Sequence, residues 1–399
     1  MPTSIGIGFS KASDGLTAAQ LAVKIAKKQI GEGSIDLAMV FHTAHYHPKD
    51  FLNFLYESVD QTRVIGSSTA ALILPHGLED KGLSVMLIRS DYIKFEIGHM
   101  PHLHYQNIVD AGKKMASESI TSYGAQFRKI CLFFINGLNP FIPEFISGLK
   151  ETFGQAFPIF GLGSSDNLLF KKTFQLYQNA YYTDGAVSLI VGGNTHLAIS
   201  QKHGWKPLGK PRTIDAVRDN NHIIEKIDRQ PAFHLLRHFF EADAPRIKAY
   251  RLGQINVRYP LGIAGSEHGE YLIRNIANTL DDGSIVCQDN VAVNSRVHVM
   301  LGNQHTCLKA TAEALGEIKL QLRGRKPSAV FVFESLMRYQ LLQRSFEKEM
   351  TLIKKALGDN VPIFGMFSMN EVFTPYTQIR EHAPTTIQNG SIIIMVIYQ

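Results

Sequence analysis

Residues 36–70 read DLAMVFHTAHYHPKDFLNFLYESVDQTRVIGSSTA, with an apolar run at each end and a helical pattern between them. The runs at 37–41 and 63–69 have the composition of buried strands. The helical pattern begins at Pro48, and proline is favourable in the first turn of a helix. One face of that helix collects four apolar side chains: Phe51, Leu52, Phe54 and Leu55. The stretch therefore predicts a strand-helix-strand unit.

The same order of elements returns twice. An apolar run at 130–134 leads through a helical pattern to residues 158–166, and a run at 329–333 leads in the same way to residues 362–368. Each copy closes on glycine and small polar residues, which we interpret as turns. Repetition of one unit predicts an α/β fold with mixed sheets, built as two closely packed and pseudo-similar halves.

The order of predicted elements starts again after about residue 220. No low-complexity linker lies there, so the two parts are expected to pack closely. We predict one part at 1–220 and a second at 221–399.

The predicted strand ends offer candidate binding groups. In open α/β sheets, ligands bind outside the carboxyl ends of the strands. His42, Asn136 and Glu334 stand at these ends, next to the three glycine and serine turns. The alternative is that glycine and serine only shape the turns.

Composition excludes several classes of protein. A hydrophobic content of 45% is that of a packed globular protein, and the net charge of +6 comes from dispersed basic residues. No nucleic-acid partner is therefore expected. The longest apolar run is far shorter than the roughly 20 residues of a membrane helix, so no membrane span is expected either. The first residues also lack a basic segment, so a cytoplasmic location is expected. Three widely spaced cysteines predict reduced thiols.

Catalytic motifs are missing from the sequence. The run Gly66-Ser67-Ser68-Thr69 is not a nucleophile elbow, and neither a His-Glu-x-x-His motif nor a lysine-containing phosphate loop occurs. Gly6-Ile7-Gly8 lacks the third glycine of a dinucleotide loop. We expect a binding protein and not an enzyme.

Short motifs along nearly the entire chain belong together: GIGFS at 6–10, VF at 40–41, HY at 45–46, VIGSSTA at 64–70, IFG at 159–161 and GWKPLG at 204–209. Further motifs are EKID at 225–228, PA at 231–232 and YLIR at 271–274. With these motifs the chain resembles the FIST domains, a family of intracellular sensory modules with an amino-terminal and a carboxy-terminal part. The resemblance assigns 1–220 to the amino-terminal part and 221–399 to the carboxy-terminal part.

The carboxy-terminal part departs from the family pattern at two places. Many members have a cysteine two residues before a Gly-Arg pair, where this chain has Ser335-Leu336-Met337-Arg338. Where members have Gly-Glu, this chain has Asn370-Glu371. The charges are kept without the thiol, so cysteine chemistry is not implied. We expect an Arg338–Glu371 ion pair, with direct ligand contact by Arg338 as the alternative.

The resemblance implies a ligand sensor without a signalling output of its own, and therefore a stand-alone sensor that signals through another protein. In this respect the chain is similar to the NosP-type members. Those proteins bind haem, sense nitric oxide and regulate a partner histidine kinase in two-component and cyclic-di-GMP signalling. Assembly into a homo-oligomer stays open.

Among the sixteen histidines, His203 is our choice of iron ligand. It precedes a flexible glycine, and Trp205 and Pro207 could wall a flat apolar cofactor. Two further groups stay open as bare metal sites or as ordinary structural residues: His42, His45 and His47 near a strand end, and His234 and His238 on one helical face.

The alternative ligand is a small organic molecule, such as an amino acid, bound without haem. Its polar ends would be held by hydroxyl and charged side chains at the strand ends: Ser67, Ser68, Thr69, Asp166 and Arg338. Ser67 and Arg338 are also expected beside the cofactor if haem is bound.

Overall fold

The computed structural model describes residues 3–124, 127–239, 257–265, 271–374 and 385–398. Eight α-helices lie entirely within these ranges: α1 (Gly15–Ile30), α2 (Leu52–Ser58), α3 (Ile108–Tyr123), α4 (Ile142–Phe153), α5 (Phe233–Phe239), α6 (Gln304–Leu322), α7 (Leu336–Leu342) and α8 (Phe346–Leu357).

The strands of the described ranges, in chain order, are β1 (Ser4–Ser10), β2 (Leu37–Thr43), β3 (Arg63–Thr69), β4 (Leu72–Leu74), β5 (Gly77–Glu79), β6 (Leu83–Arg89), β7 (Ile93–Met100), β8 (Arg128–Asn136), β9 (Ile159–Ser164), β10 (Gln175–Tyr177), β11 (Ala180–Tyr182), β12 (Ala186–Gly193), β13 (His196–His203), β14 (Lys206–Arg218), β15 (Ile223–Ile227), β16 (Gln230–Pro231), β17 (Leu261–Ala264), β18 (Tyr271–Arg274), β19 (Ile276–Thr279), β20 (Ile285–Cys287), β21 (Arg296–Leu301), β22 (Pro327–Ser335), β23 (Ile363–Ser368), β24 (Glu371–Phe373), β25 (Thr386–Gln388) and β26 (Ser391–Tyr398).

Three copies of one unit form the body of the molecule. The first runs from β1 to β6, the second from β7 to β12, and the third from β13 to β26. In each copy a parallel strand pair, β2–β3, β8–β9 or β22–β23, lies at the centre of a six-stranded mixed sheet. The predicted mixed α/β fold of repeated strand-helix-strand units is confirmed.

Each unit sends a hairpin into a neighbouring sheet. The hairpin β4–β5 of the first unit pairs with β23 of the third, and β24–β25 of the third pairs with β9 of the second. The hairpin β10–β11 of the second unit pairs with β3 of the first and completes the cycle. The amino-terminal and carboxy-terminal parts are therefore interlocked by exchanged strands as well as packed together.

An additional eight-stranded sheet is inserted in the third unit. It comprises β14 to β21 and lies in the chain between β13 and α6. The predicted division at 220/221 falls in the turn that joins β14 to β15. We call this sheet the inserted sheet.

The inner faces of the three six-stranded sheets meet in one apolar core. Phe41, Phe134 and Phe333 occupy equivalent positions of the three units, one residue after the partner of a strand glycine. The ring centroid of Phe41 lies 5.5 Å from that of Phe134 and 6.3 Å from that of Phe333, both edge-on. Such edge-to-face contacts are favourable for aromatic rings.

The outer faces are covered by helices. α1 and α2 pack on the first sheet, α3 and α4 on the second, and α6 to α8 on the third. The central strands are thus buried on both faces, which is why they read as continuous apolar runs. None of the helices in the described ranges has the length and apolar character that crossing a membrane requires.

The three glycine-serine segments are strand ends and not turns, so that interpretation was wrong. Gly66, Gly161 and Gly365 lie inside β3, β9 and β23. A Cβ atom on Gly66 would lie 2.0 Å from the Val40 carbonyl oxygen, and one on Gly365 would lie 1.8 Å from that of Val332. Glycine is present because the neighbouring strand leaves no room for a side chain.

Candidate functional site

The carboxyl ends of the three parallel strand pairs meet at the centre of the molecule. Ser67 Oγ of the first unit lies 2.8 Å from Ser164 Oγ of the second. Ser165 Oγ donates a hydrogen bond of 2.7 Å to the Phe367 carbonyl of the third unit, and Thr69 Oγ1 donates one of 2.9 Å to the same oxygen. We call Ser67, Ser68, Thr69, Ser164 and Ser165 the central hydroxyl layer.

The central hydroxyl layer is sealed from solvent. All five of its side chains have an exposed fraction of 0%. Gln175 Nε2 donates to Ser164 Oγ at 3.1 Å, and the Phe174 N–H donates to Ser68 Oγ at 2.9 Å. Because the hydroxyls are bonded to protein groups, Ser67 joins the units together in this state and does not face an open site.

Asp166 is also used by the protein itself. It is 2% exposed, and its carboxylate accepts hydrogen bonds from the backbone N–H groups of Phe170, Lys171 and Lys172, at 2.7 to 2.9 Å. These bonds fix the chain that follows β9.

Arg338 lies in a buried charged cluster. Its Nε donates to Glu334 Oε2 at 3.1 Å, and its Nη2 donates to Glu349 Oε1. Nη2 also donates to Thr311 Oγ1 at 2.8 Å. All three charged side chains are fully buried. We call Glu334, Arg338 and Glu349 the charged cluster.

The charged cluster has two carboxyl groups for one guanidinium. Burial, followed by repulsion from the Glu349 carboxylate, raises the pKa of Glu334 well above its usual range. Within the described residues, Glu334 Oε1 and Glu349 Oε2 are buried without a hydrogen-bond donor. Burial and the neighbouring carboxylate therefore both disfavour the ionised form of Glu334.

The expected ion pair between Arg338 and Glu371 is not formed. Glu371 lies in β24 and accepts hydrogen bonds from Ser368 Oγ at 2.8 Å and from the N–H and Oγ of Ser391 at 3.2 and 3.1 Å. Burial raises the pKa of Glu371 to about 8. The prediction was wrong because Glu334 near the end of β22 and Glu349 of α8 already bind the guanidinium of Arg338.

His203, Trp205 and Pro207 lie at the junction of the third unit and the inserted sheet. His203 ends β13 and is half-buried, whereas Pro207 is exposed on β14. Trp205 is fully buried, and its indole N–H donates to the Val257 carbonyl at 2.9 Å. Cβ atoms on Gly302 and Gly390 would lie within 3 Å of its ring, so the tryptophan fills core space.

The hydrogen bond of His203 does not fit an iron ligand. Its Nδ1 accepts from the Trp205 N–H at 3.2 Å, and burial followed by the charge of Lys206 lowers its pKa to about 4. The ring is therefore neutral, with its proton on Nε2. A haem-bound imidazole needs one nitrogen with a free lone pair, and in this arrangement neither nitrogen has one.

Within the described part of the chain, the other candidate histidines belong to no metal-binding group of residues. His47 Nδ1 accepts from the Lys49 N–H at 3.2 Å and caps a short helix, while His42 is fully buried. His234 is exposed on α5, and the side chain of His238 lies outside the described residues. Within the described ranges, His, Cys, Asp and Glu side chains form no group of three that could hold a metal ion.

An open cleft lies at the carboxyl edge of the second sheet. It has a volume of about 610 Å³ and is bounded by the amino-terminal ends of α3 and α4 and by loops of the inserted sheet. Its lining is rich in amide and carboxylate side chains: Gln106, Asn107, Ile108, Val109, Asp110, Glu144, Asn220, Asn221 and Asn290. We call it the edge cleft.

Sequence reasoning missed Glu349 and the edge cleft. Glu349 lies on the apolar face of α8, next to Phe346 and Ile353, and this misplaced charge was the available signal. The edge cleft has no local signal, because residues more than one hundred positions apart in the chain line it.

Two solved structures show distant similarity to this chain. Cyanuric acid hydrolase from A. caulinodans is 8% identical with a TM-score of 0.40, and the alignment covers 100% of this chain and 99% of that one. PurLQS from Thermotoga maritima is 8% identical with a TM-score of 0.24, with 77% and 73% covered. Similarities of this size support no functional argument. A search of the curated proteins found no match.

Two family descriptions match the chain itself. The FIST N domain matches residues 36–230, and the FIST C domain matches residues 232–374. The two-part organisation fits these matches, which together span most of the chain. The chain belongs to the FIST-domain family and is a signal-transduction sensor of small ligands.

Proposed function

We propose that this FIST protein senses a small polar organic ligand, such as an amino acid, which binds in the edge cleft without haem. The observation behind the proposal is the cleft's position at the carboxyl edge of a sheet, where α/β folds bind their ligands. Its volume of about 610 Å³ is in the range of small-molecule sites.

The chemistry of the edge cleft supports a polar ligand. Asp110 and Glu144 contribute carboxylates, and amide side chains supply both donors and acceptors. Glu144 Oε2 is buried and has no hydrogen-bond donor among the described residues. A donor on the ligand, such as an ammonium group, would satisfy this oxygen.

The position of the edge cleft also suits signalling. Its walls belong to two bodies, because Asp110 and Glu144 lie in the second unit whereas Asn221 and Asn290 lie in the inserted sheet. A ligand that contacts both walls binds better when they are close together and shifts the population towards that state. We propose that a separate cytoplasmic histidine kinase responds to this change.

Thermal unfolding of the purified protein tests the proposal, with amino acids and small amines added one at a time. We expect at least one compound to raise the melting temperature in a saturable way, because it binds only the folded protein. The rise should be lost in Glu144→Gln and Asp110→Asn.

Glu151→Gln is the matched control, since Glu151 is an exposed carboxylate of the same helix α4 outside the cleft. A compound that stabilises wild type and both cleft variants equally would place the site elsewhere. Absence of any response across the panel would contradict the proposal of an organic ligand.

The resemblance to NosP-type members supports a second candidate, a haem-binding sensor of nitric oxide that regulates the kinase. An absorption spectrum of the protein with added haem, before and after reduction and exposure to nitric oxide, tests it. Stoichiometric haem uptake with a shift of the Soret band would replace the first proposal. If haem is bound, His203→Ala should leave its spectrum unchanged, because the His203 lone pair is already used.

A further inference from the structure

One of the three hairpin junctions is much longer than its equivalents. Residues 70–71 join β3 to β4, and residues 369–370 join β23 to β24. The equivalent connection from β9 to β10 comprises residues 165–174. In the first and third units two residues are enough to connect the strand to the hairpin. The additional residues of the second unit are therefore not needed to form its hairpin.

The additional segment is anchored by two polar side chains, Asp166 and Asn167. Asp166 accepts three backbone hydrogen bonds from residues 170–172. The side chain of Asn167 accepts from the Ala44 N–H at 2.7 Å and donates to the carbonyls of Ala70 and Asp80 at 2.8 and 3.0 Å. The loop is thereby fixed to the first unit.

The backbone of this loop is in an unusual conformation. Asn167, Leu168 and Phe170 have φ angles of 54°, 62° and 53°, in the left-handed region that bulky residues rarely adopt. Hydrogen bonds of Asp166 and Asn167 keep a strained backbone conformation in place. This indicates that the exposed position of the loop's side chains has a function.

The loop presents two large apolar side chains and two lysines to solvent. Leu169 is 56% exposed and Phe170 is 55% exposed, and Lys171 and Lys172 that follow are also exposed. Among the large exposed apolar side chains in the described part of the chain, these two are the only sequence neighbours. We call residues 169–172 the display loop.

We propose that the display loop binds reversibly to the surface of an anionic lipid membrane. Leucine and phenylalanine enter the boundary between headgroups and acyl chains, and the lysines contact the anionic headgroups. The chain's net charge of +6 adds a general attraction. Two apolar side chains are few for a protein partner, because a stable protein interface buries about 800 Å² on each side.

Vesicle sedimentation with the purified full chain tests the proposal. The vesicles contain either phosphatidylcholine alone or equal parts of phosphatidylcholine and phosphatidylglycerol. We expect wild type to bind the anionic vesicles only, and the double variant Leu169→Ser/Phe170→Ser to bind them about tenfold or more weakly. Lys171→Gln/Lys172→Gln should weaken binding and reduce its dependence on salt.

Leu320→Ser is the matched control, because Leu320 is 78% exposed on α6 and lies outside the display loop. All the exchanged side chains are exposed, so thermal unfolding should be unchanged and any loss of binding is a surface effect. No sedimentation of wild type with anionic vesicles would overturn the proposal. So would equal binding by wild type and the Leu169→Ser/Phe170→Ser variant. Loss of kinase regulation in that variant, without vesicle binding by wild type, would assign the loop to a protein partner instead.

Discussion

The central hydroxyl layer and the charged cluster are both wholly buried, but they satisfy their polar groups differently. In the layer, neutral hydroxyls such as Ser67 and Ser164 are bonded to one another, to amides and to carbonyls. In the charged cluster, Arg338 donates hydrogen bonds to two glutamates. One oxygen of each glutamate has no hydrogen-bond donor among the described residues. The hydrogen bonding of the layer is complete, whereas, within the described ranges, the charged cluster leaves two buried carboxyl oxygens without a donor.

The three units show that the fold itself does not require this charge. His42, Ile135 and Glu334 occupy equivalent positions, each two residues after the partner of a strand glycine. The second unit fills the position with an aliphatic side chain. A neutral network is inexpensive to keep in a core, whereas a buried charge is tolerated only while its partners remain.

Removal of the guanidinium should have the largest effect. Arg338→Met leaves two carboxyl groups buried without a cation, and we expect the free energy of unfolding to fall by about 3–5 kcal/mol. Urea denaturation followed by circular dichroism measures the loss. Arg344→Met, at an exposed arginine between α7 and α8, should change stability by less than about 0.5 kcal/mol.

A triple variant separates charge balance from packing. Arg338→Met combined with Glu334→Leu and Glu349→Leu replaces the charged cluster by apolar side chains of similar size. We expect it to recover most of the stability that Arg338→Met loses, since replacing a whole buried ionic cluster is often neutral. If Arg338→Met alone were as stable as wild type, the charged cluster would not matter to the fold.

Glu371 combines features of the two regions. Like the glutamates of the charged cluster it is a buried carboxyl group, but like the central hydroxyl layer it is hydrogen-bonded to hydroxyls. Its folded pKa of about 8 lies above the ordinary glutamate pKa of 4.5, so the folded state holds a proton that the unfolded state releases between these values. The stability contribution of this proton is complete below the unfolded pKa and is lost as pH rises to about 8. Glu371→Gln cannot release a proton.

We therefore expect Glu371→Gln to change the pH dependence of stability. Between the two pKa values, wild type should lose about 1.4 kcal/mol per pH unit relative to the variant. Urea unfolding at a series of pH values measures this difference in slope. Glu347→Gln, at an exposed glutamate of α8, should leave the wild-type slope unchanged. Parallel curves for wild type and Glu371→Gln would show that Glu371 is ionised in the folded protein.

The sequence predicted the local elements better than their partners. The strand pairs of the three units were recognisable, because residues buried on two faces give continuous apolar runs. The pairing of hairpins such as β4–β5 with a strand of another sheet was not recognisable. An apolar strand sequence does not specify which sheet edge the strand joins. The glycines at 66 and 365 were wrongly interpreted as turn residues for the same reason, because the neighbouring strand that crowds each of them is far away in the sequence.

Site residues were predictable in type but not in arrangement. Arg338 was expected to form an ion pair, yet its partner Glu349 was missed because the family pattern pointed to Glu371. Trp205 was expected to border a cofactor, whereas glycines at 302 and 390 let its ring fill the core. Contacts between residues far apart in the sequence determine both the partner of Arg338 and the position of Trp205. The sequence pattern of a single helix or strand does not reveal such contacts.

The smallest expected effect concerns the contact between Ser67 and Ser164. Each hydroxyl has other partners, namely the Ser68 carbonyl for Ser67 and the Gln175 amide for Ser164. Ser67→Ala and Ser164→Ala should each lower the free energy of unfolding by about 1 kcal/mol, the usual value of a neutral hydrogen bond. In a double-mutant cycle the coupling should be about 0.5 kcal/mol or more, because the two oxygens touch.

Exposed Ser147→Ala is the control for this cycle and should be neutral. Coupling near zero would mean that the two units are joined by packing alone. A coupling as large as the loss in Arg338→Met would erase the contrast between the two regions, because a neutral pair has no uncompensated charge to expose. The expected order of effects follows from charge: the guanidinium first, the protonated carboxyl next and the paired hydroxyls last.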